Sequence, residues 1–288
     1  MKSGIARRPV LSSIATPTEL RWRVRKMLSA VPPMPEETVM IETHIENGCM
    51  LIVINQPEKH NAISRAMWGD LAAALRLAES RDDIRLVILR GAGGRAFCSG
   101  GDISEYEELQ RNAAKAEDAA VGLREVSALL RGLPVPTIAA ISGHCVGAGV
   151  VIAAACDFRL CTKSSHFKVT AIKRGLPYPA LATGELIALV GLPMTRALLL
   201  RGRDLSAAEA LKAGLVDELI ADDAFEEVLA AFAAEIMAQS NNAYAAVKKS
   251  IAYALQLADE NDEMRALQMT ALASDDFRAS TRRFLGKN

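Results

Sequence analysis

The sequence lacks a charge excess, is poor in aromatic residues and has no apolar run long enough to cross a membrane. Lysine plus arginine number 34, aspartate plus glutamate also number 34, and aromatic residues make up 5% of the 288 residues. A balanced charge gives no support for nucleic acid or an acidic membrane surface as a partner. The longest continuous apolar run, residues 146–155, is about half of the ~20 residues that a helix needs to span a bilayer. We therefore expect no nucleic-acid partner and no transmembrane helix.

Cysteine is scarce and shows no paired pattern. The five cysteines are an odd number, and they show neither zinc-ligand spacing nor a disulfide framework. Most of them lie inside apolar segments, where a thiol behaves as a small hydrophobic side chain. We therefore expect buried, reduced thiols, no metal site and a cytoplasmic protein.

Charge and proline content separate the first residues from the remainder. Residues 1–38 are rich in arginine, and a basic amphipathic helix is predicted over 19–31, ended by a proline-rich segment at 32–35. We interpret 1–38 as a basic N-terminal arm, either peripheral or disordered. Residues 39–205 alternate short strands with helices, and residues 206–288 are predicted to be helical. The expected fold is therefore α/β with a helical C-terminal part.

A buried strand and a buried helix are joined through glycine near the middle of the chain. Residues 137–141 are a short apolar segment, and the Gly-Ala-Gly segment 147–149 opens the apolar helix that follows. The Ser-Gly-Gly-Asp segment 99–102 also follows a predicted strand. The first N–H groups of a helix have no intrahelical partner, so two such turns on neighbouring strands can direct two N–H groups at one carbonyl oxygen, as an oxyanion hole. The alternative for each turn is a simple bend of the chain. Neither turn has the glycine spacing of a P-loop or of a dinucleotide-binding loop.

The two turns belong to a set of six short motifs that follow one another in a fixed order. The six motifs are Pro57-x-x-x-Asn61-Ala62, Ala96-Phe97-Cys98-Ser99-Gly100-Gly101-Asp102-Ile103, Pro136-Thr137-Ile138-Ala139-Ala140, Gly143-x-x-x-Gly147-Ala148-Gly149, Cys156-Asp157 and Ala213-Gly214-Leu215-Val216. Together they resemble the crotonase superfamily, the enoyl-CoA hydratase/isomerase group, and the resemblance covers residues 39–288. Any one motif alone is a weak signal, and their shared order and spacing make the resemblance specific.

The resemblance implies a crotonase-like spiral of ββα units over 39–205, a helical oligomerisation region over 206–288, and a homotrimer or a dimer of trimers. It also implies an acyl-CoA thioester as substrate, with CoA entering as part of that substrate and no separate cofactor. The thioester oxygen would accept hydrogen bonds from the backbone N–H groups of Gly101 and Ala148. The positions that match CoA contacts in the family are Lys59, Ala62, Cys98, Ser99, Gly100, Phe284 and Lys287.

Three positions depart from the pattern that the resemblance implies. Hydratases of this family carry glutamates at the positions of Val151 and Ala171, and some isomerases and a dehalogenase carry a carboxylate at the position of Pro179. None of these three side chains can move a proton. We therefore do not expect ordinary hydration by two glutamates.

Other side chains must then supply the acid or base. His144, just before the second glycine turn, is the candidate catalytic base, with a structural role as its alternative. Cys145 is a candidate nucleophile, although its apolar flanks favour burial. A carboxylate at 105–108 could swing inward, or this segment is an exposed helix start. Lys168 and Thr170 could share one face, or lie at a solvated strand end. Three carboxylates, Asp102, Asp157 and Glu185, are interpreted as turn-binding or capping groups.

Two classes of function remain open. The first is an acyl-CoA-processing enzyme of the hydratase/isomerase type that retains thioester enolisation and uses an unusual proton carrier. Within this class, a decarboxylase or hydrolase with a catalyst other than glutamate is an alternative, because loss of CO₂ needs an enolate stabiliser and no base to start. The second class is a non-catalytic acyl-CoA-binding protein that kept the pocket.

Overall fold

The computed structural model describes residues 17–29, 39–105, 113–174 and 178–255. Over these ranges the chain forms an α/β structure with two sheets, one of six strands and one of four. The helices are α1 (Pro17–Ser29), α2 (Arg65–Ser80), α3 (Ala113–Gly132), α4 (Ala148–Ala155), α5 (Ala180–Arg201), α6 (Ala207–Ala213), α7 (Phe225–Met237) and α8 (Asn241–Ala254).

The large sheet is mostly parallel. Its strands, in spatial order, are β1 (Ile41–Glu46), β2 (Cys49–Ile54), β3 (Leu86–Gly91), β5 (Thr137–Ile141), β7 (Phe158–Thr162) and β10 (Glu218–Ile220). β1 and β2 form an antiparallel hairpin, and the later neighbours pair in parallel. The hairpin turn holds Asn47 at φ 52° and Gly48 at φ 82°, which are the left-handed conformations that an Asn-Gly turn of two residues requires.

The small sheet carries the two glycine turns at the ends of its strands. Its strands, in spatial order, are β4 (Ala96–Cys98), β6 (His144–Val146), β8 (His166–Lys168) and β9 (Asp204–Ser206). The chain passes repeatedly from a strand of the large sheet to a strand of the small sheet and then to a helix: β3, β4 and α3, then β5, β6 and α4, then β7, β8 and α5. This order confirms the predicted spiral of ββα units.

Each face of the large sheet packs on its own set of helices, because alternate side chains of a strand point to opposite faces. On one face, Met50, Ile52 and Ile54 pack with side chains of α2, α3 and α4. On the other face, Leu51 and Val53 pack with side chains of α1 and α7. The continuous apolar sequence of β2 follows from burial on both of its faces.

The basic N-terminal helix is part of this second layer. It was predicted over 19–31, and the structure places it at Pro17–Ser29 with Leu20, Val24 and Met27 buried. Their spacing of three and four residues forms one apolar stripe. On its polar side, Arg21 and Arg25 both pair with Glu227 of α7. The part of the arm that the structure describes is therefore an ordered helix on the core.

One helix of the described residues, α5, is long and apolar enough to cross a membrane by length and composition, and 22% of its apolar window is buried. Gly191 leaves helical geometry at φ 70° and ψ 163°, and Pro193 follows it. The helix is therefore two segments, each about half of the ~20 residues that a span needs.

The C-terminal region was predicted to be helical, and α6, α7 and α8 lie within it. The structure adds a strand that was not predicted, β10, which extends the large sheet beside β7. The remainder of this predicted helical region, residues 256–288, lies outside the described residues. The domain boundaries at 38/39 and 205/206 stay predictions.

A polar network fastens α8 to the core. Lys248 of α8 donates to a carboxylate oxygen of Asp157 at 2.7 Å and to the carbonyl oxygen of Val135 at 3.1 Å. The same Asp157 oxygen accepts hydrogen bonds from the backbone N and Oγ1 of Thr137 at 2.8 and 2.9 Å. Asp157 thus ties down the start of β5 and the end of α4, as interpreted from the sequence, and it also binds α8.

Candidate active site

The two glycine turns meet at the end of the small sheet. β4 and β6 are parallel neighbours, and each leads into one of the turns. A Cβ atom added to Gly147 would lie 3.8 Å from the Cα atom of Gly100, and one added to Gly100 would lie 3.8 Å from the backbone N of Ala148. The fold therefore brings the turns together, as the oxyanion-hole interpretation required.

The second turn leaves the N–H of Ala148 available. Gly147 adopts φ 56° and ψ −110° as the N-cap of α4, a conformation that favours glycine. The N–H of Gly147 donates to the carbonyl oxygen of Lys168 at 2.9 Å, and its own carbonyl accepts from Val150 and Val151 at 3.1 and 3.3 Å. Ala148 is the first residue of the helix, so its N–H has no acceptor within the helix.

The first turn orients the N–H of Gly101 in the same way. Gly101 forms a parallel bridge with Ile63. In this bridge the N–H of Ile63 donates to the carbonyl of Gly100 at 2.8 Å, and the N–H of Asp102 donates to the carbonyl of Ile63 at 3.0 Å. Because polar groups of successive residues in extended backbone point to opposite sides, the N–H of Gly101 points away from Ile63.

Close packing holds the two turns in place. A Cβ atom on Gly149 would lie 2.4 Å from the carbonyl oxygen of Cys98, which is backbone and has little freedom to move. Gly149→Ala is therefore expected to lower the free energy of unfolding by about 1–3 kcal/mol through overpacking.

Gly69 is the matched control, because it also lies inside a helix and a Cβ atom there would meet nothing within 4 Å. Gly69→Ala is expected to raise the free energy of unfolding by up to about 1 kcal/mol through helix propensity. Urea denaturation of both variants measures the difference. Equal effects of the two substitutions would contradict the close approach of α4 to β4.

The loop before α2 joins the same site. The N–H of Ser99 donates to the carbonyl of His60, and its hydroxyl donates to the carbonyl of Lys59, both at 3.1 Å. Ala62 is buried, and its N–H donates to the carbonyl of Lys59 at 3.1 Å. The structure thus groups the predicted CoA-contact residues Lys59, Ala62, Cys98, Ser99 and Gly100 around the first glycine turn. Phe284 and Lys287 lie outside the described residues.

Asp102 holds this loop against the first turn. Its side chain accepts from Lys59 Nζ at 2.6 Å and from the backbone N and Oγ of Ser104 at 2.9 and 2.7 Å. Burial would raise the pKa of Asp102, but the hydrogen bonds from Lys59 and Ser104 outweigh burial and lower it. Asp102 is therefore charged at neutral pH. The interpretation of Asp102 as a turn-binding residue is confirmed.

His144 points away from the buried part of the site. In β6 its side chain is exposed and that of Cys145 is buried, since alternate side chains of a strand face opposite ways. The rings nearest to it belong to His60 and His166, each with a centroid distance of 6.1 Å. The structure thus places His144 in a surface row of histidines, and its assignment as the base stays a prediction that this placement does not support.

A small cleft lies between α3, α4 and the start of α5. Its cavity volume is about 10 Å³, room for about one water molecule, and the space up to its open mouth brings the total to about 230 Å³. The lining residues are Leu123, Arg124, Ser127, Arg131, Val151, Pro179, Leu181 and Ala182. Val151 lies three residues beyond Ala148, on the same side of α4. Two of the three positions at which the family resemblance predicted carboxylates, Val151 and Pro179, therefore line one cleft beside the second turn.

Glu185 differs from its sequence interpretation. It was interpreted as a capping residue, but α5 begins at Ala180, and Glu185 lies inside the helix with its side chain 7% exposed. One of its oxygens pairs with Arg131 of α3. Burial raises the pKa of Glu185, and the charge of Arg131 opposes that rise. A single carboxylate within an apolar helix was the sequence signal for this buried pair.

Two further sets of polar side chains have structural partners. Glu105 accepts a hydrogen bond from the backbone N of Arg65 at 2.9 Å, which places it at the N-terminus of α2; Tyr106, Glu107 and Glu108 lie outside the described residues. Lys168 pairs with Asp204 at 3.0 Å, so the solvated strand end explains its position.

The thiols are unreactive at neutral pH. All five cysteines are buried and reduced, as expected. Burial is the main cause of their raised pKa values, which reach about 12 for Cys49, Cys98, Cys156 and Cys161, while the pKa of Cys145 is raised well above its usual value. The burial interpretation of Cys145 is confirmed, because a nucleophilic thiol needs a lowered pKa. Within the described ranges, no three His, Cys, Asp or Glu side chains come together as metal ligands.

Comparison with known proteins identifies the relatives of this chain. A sequence model of the family "Enoyl-CoA hydratase/isomerase" matches residues 44–288. A probable enoyl-CoA hydratase of Mycobacterium avium is 34% identical over 204 residues, which are 71% of this chain and 78% of that protein. The mitochondrial Delta(3,5)-Delta(2,4)-dienoyl-CoA isomerase of Mus musculus is 31% identical over 247 residues, covering 81% of this chain and 75% of that protein.

Solved structures give the same result. The crystal structure of a putative enoyl-CoA hydratase/isomerase family protein from Hyphomonas neptunium is 34% identical, has a TM-score of 0.80, and the match covers 88% of this chain and 97% of that chain. The sequence match, the relatives and the fold agree with one another. The chain belongs to the enoyl-CoA hydratase/isomerase family of the crotonase superfamily.

Proposed function

We propose that the protein is an acyl-CoA thioester-processing enzyme of the enoyl-CoA hydratase/isomerase type, which stabilises a thioester enolate between two backbone N–H groups. The observation that carries this proposal is the meeting of the two glycine turns, with the N–H groups of Gly101 and Ala148 directed away from their own secondary structure. A probable enoyl-CoA hydratase and a dienoyl-CoA isomerase among the relatives support the substrate class.

The chemistry follows from where charge develops. When a proton or CO₂ leaves the α carbon of a thioester, negative charge moves to the thioester oxygen. Two N–H donors fixed by the backbone stabilise that charge without moving. Their hydrogen bonds to the thioester oxygen are therefore stronger in the transition state than in the ground state. Such a site serves hydration, double-bond shift and decarboxylation alike.

The CoA portion would lie along the loop that holds Lys59 and Ala62. Lys59 is 46% exposed, so its ammonium group can turn from Asp102 toward a phosphate of CoA. Asp102 retains its hydrogen bonds from Ser104 when Lys59 moves. The backbone of Cys98, Ser99 and Gly100 would border the pantetheine arm, and Phe284 and Lys287 would complete the site.

The alternative functions differ in how they use the cleft. Val151 and Pro179 offer no proton carrier there, which favours a decarboxylase over a hydratase that needs two carboxylates. A non-catalytic acyl-CoA-binding protein would keep the N–H pair and bind without turnover. A hydrolase would need an activated water or nucleophile in the cleft, and the buried thiols do not supply the nucleophile.

We also propose a homotrimer or a dimer of trimers in the cytoplasm. Large apolar side chains are exposed on two helices: Leu192 and Leu200 on α5, and Val247 and Ile251 on α8. Contacts between subunits would bury them. Sedimentation equilibrium of the purified protein tests the assembly.

The activity is tested with the purified protein and four probes: crotonyl-CoA for hydration, a 3-enoyl-CoA for the double-bond shift, methylmalonyl-CoA for decarboxylation and butyryl-CoA for thioester hydrolysis. Mass spectrometry of the products identifies the reaction. We expect turnover of at least one probe. Tight binding of every probe without any product would favour the non-catalytic alternative, and no binding of any probe would refute the substrate class.

A further inference from the structure

A buried carboxylate adjoins the cleft beside Val151. Glu185 lies one helical turn beyond Leu181 and Ala182, which line the cleft, so these side chains share one face of α5. Its oxygen Oε1 accepts from the guanidinium of Arg131, and Arg131 itself lines the cleft. The carboxyl group of Glu185 therefore lies directly behind Arg131, whose own side chain borders the cleft together with Val151.

Two polar atoms beside this cleft have no hydrogen-bond partner. They are Oε2 of Glu185 and the hydroxyl oxygen of Tyr178, both buried. An unpaired buried polar atom costs about 1–3 kcal/mol, so its persistence in a folded protein needs a reason. Tyr178 directly precedes Pro179, which lines the cleft, and the charge of Glu185 acts on the Tyr178 hydroxyl group, so the two unpaired atoms lie near each other behind the lining of the cleft.

The directions in which the pKa values of Glu185 and Tyr178 are shifted suit the transfer of a proton to and from a substrate. Burial raises the pKa of Glu185 above 4.5, and Arg131 and Arg159 oppose that rise. Burial raises the pKa of Tyr178, which keeps its hydroxyl group protonated. A carboxyl group whose pKa is moved toward neutrality is better matched to general acid–base catalysis than an exposed one.

Within the described residues, the other positions considered from the sequence near the second turn supply no proton carrier to the cleft. Val151, Ala171 and Pro179 have no titratable group, and the imidazole of His144 is on the exposed face of β6. The side chains of α4 are glycine, alanine, valine and isoleucine. The charged or titratable groups that face Glu185 are Arg131 from α3, Arg159 from β7 and Tyr178 before α5.

We propose that Glu185 is the general base and acid of this active site and that the hydroxyl group of Tyr178 holds the acyl group beside it. This inference rests on the proposed function and adds its proton carrier. Oε2 of Glu185 takes a proton from the α carbon of the thioester; the C–H bond breaks, and its electron pair moves to the thioester oxygen held by Gly101 and Ala148. The C=O bond then re-forms as Glu185 returns the proton to the α carbon or, where the substrate carries a double bond between the β and γ carbons, to the γ carbon. The first gives proton exchange, the second a shift of the double bond, and no other reactant is consumed.

The test follows exchange of the α protons of butyryl-CoA in D₂O by NMR, with pH varied. The wild type is expected to exchange, and Glu185→Gln is expected to exchange at least tenfold more slowly with a Kd for butyryl-CoA within about twofold of wild type. Glu185→Asp should restore part of the rate. In Arg131→Met the acid limb of the pH–rate profile should move to higher pH, because the positive charge that opposes the burial of Glu185 is gone.

Glu218→Gln is the matched control, since Glu218 is exposed on β10, and it should exchange at the wild-type rate. If Glu185→Gln does not fold, the pH–rate profile of Arg131→Met tests the role of Glu185. If the Glu185–Arg131 pair is only structural, the acid limb of that profile should not move. Exchange at the wild-type rate in Glu185→Gln, or an unmoved limb in Arg131→Met, would overturn the role of Glu185 and leave the proposed function standing. No exchange in the wild type, together with no turnover of the four probes, would overturn both.

Discussion

Ala148→Pro is expected to lower kcat for any acyl-CoA turned over by the protein by about 10²–10³-fold, the usual effect of losing one oxyanion-hole donor, worth about 2.7–4 kcal/mol. Proline has no N–H, and the first position of a helix tolerates its fixed φ well. Ala148 is that position in α4, and Gly147 before it lacks the Cβ that would clash with the proline ring. The substitution thus replaces the N–H donor with the ring Cδ atom, which also crowds the position of the thioester oxygen, and it leaves the side chains of the cleft in place. Steady-state kinetics on the best probe measures the loss.

Asn241→Pro is the matched control. Asn241 is the first residue of α8, and its N-cap, Ser240, has the extended conformation that precedes proline readily. This variant should keep wild-type kcat while carrying the same substitution at a helix start. A folded Ala148→Pro variant with wild-type kcat would exclude its N–H group from catalysis, and an equal loss in Asn241→Pro would point to a general effect of proline on folding.

Asp157→Ala is expected to lower the free energy of unfolding by about 3 kcal/mol, near the lower end for breaking a buried ion pair because the Asp157 side chain is 25% exposed. The substitution leaves the ammonium group of Lys248 nearly buried, with a side-chain exposure of 9%, and without its counter-ion. It also removes the acceptor for both donors of Thr137. Urea denaturation measures the loss.

A surface ion pair provides the control for this substitution. Asp83 pairs with Arg81, and the two side chains are 62% and 41% exposed. Asp83→Ala should therefore change the free energy of unfolding by less than about 1 kcal/mol, because water and salt screen exposed pairs. A loss in Asp157→Ala no larger than that in Asp83→Ala would show that the network around Asp157 does not anchor α8.

The sequence predicts the long elements of this fold because their patterns are local. The apolar runs of β2 and β5 indicate strands buried on both faces, and Ser64 marks the start of α2 as its N-cap. The strands β6, β9 and β10 have three residues each, which is too short for any periodicity to show. They exist because neighbouring strands pair with them, so local sequence alone does not predict them.

Some features of the candidate site are also predictable from local sequence, and others are not. The glycine turns are predictable, since their dihedral angles and close approach need glycine at fixed spacing. The outward direction of His144 follows from its place next to buried Cys145 in β6, because neighbouring side chains in a strand point in opposite directions. Since β6 exists only through pairing with its neighbours, the sequence does not predict this direction. The burial of Glu185 depends on Arg131, which is 54 positions away in the sequence, and a contact at that separation leaves no periodic pattern.

The most direct test of the paired N–H groups is the carbonyl stretching frequency of bound butyryl-CoA labelled with ¹³C at the thioester carbon, measured by difference infrared spectroscopy. This measurement needs binding and no turnover, so it is independent of the proton carrier. Two donors at the oxygen should polarise the C=O bond and lower its frequency relative to butyryl-CoA in solution, and Ala148→Pro should lose part of that shift. A bound thioester with the solution frequency, or an equal shift in Ala148→Pro, would contradict an oxyanion hole formed by Gly101 and Ala148.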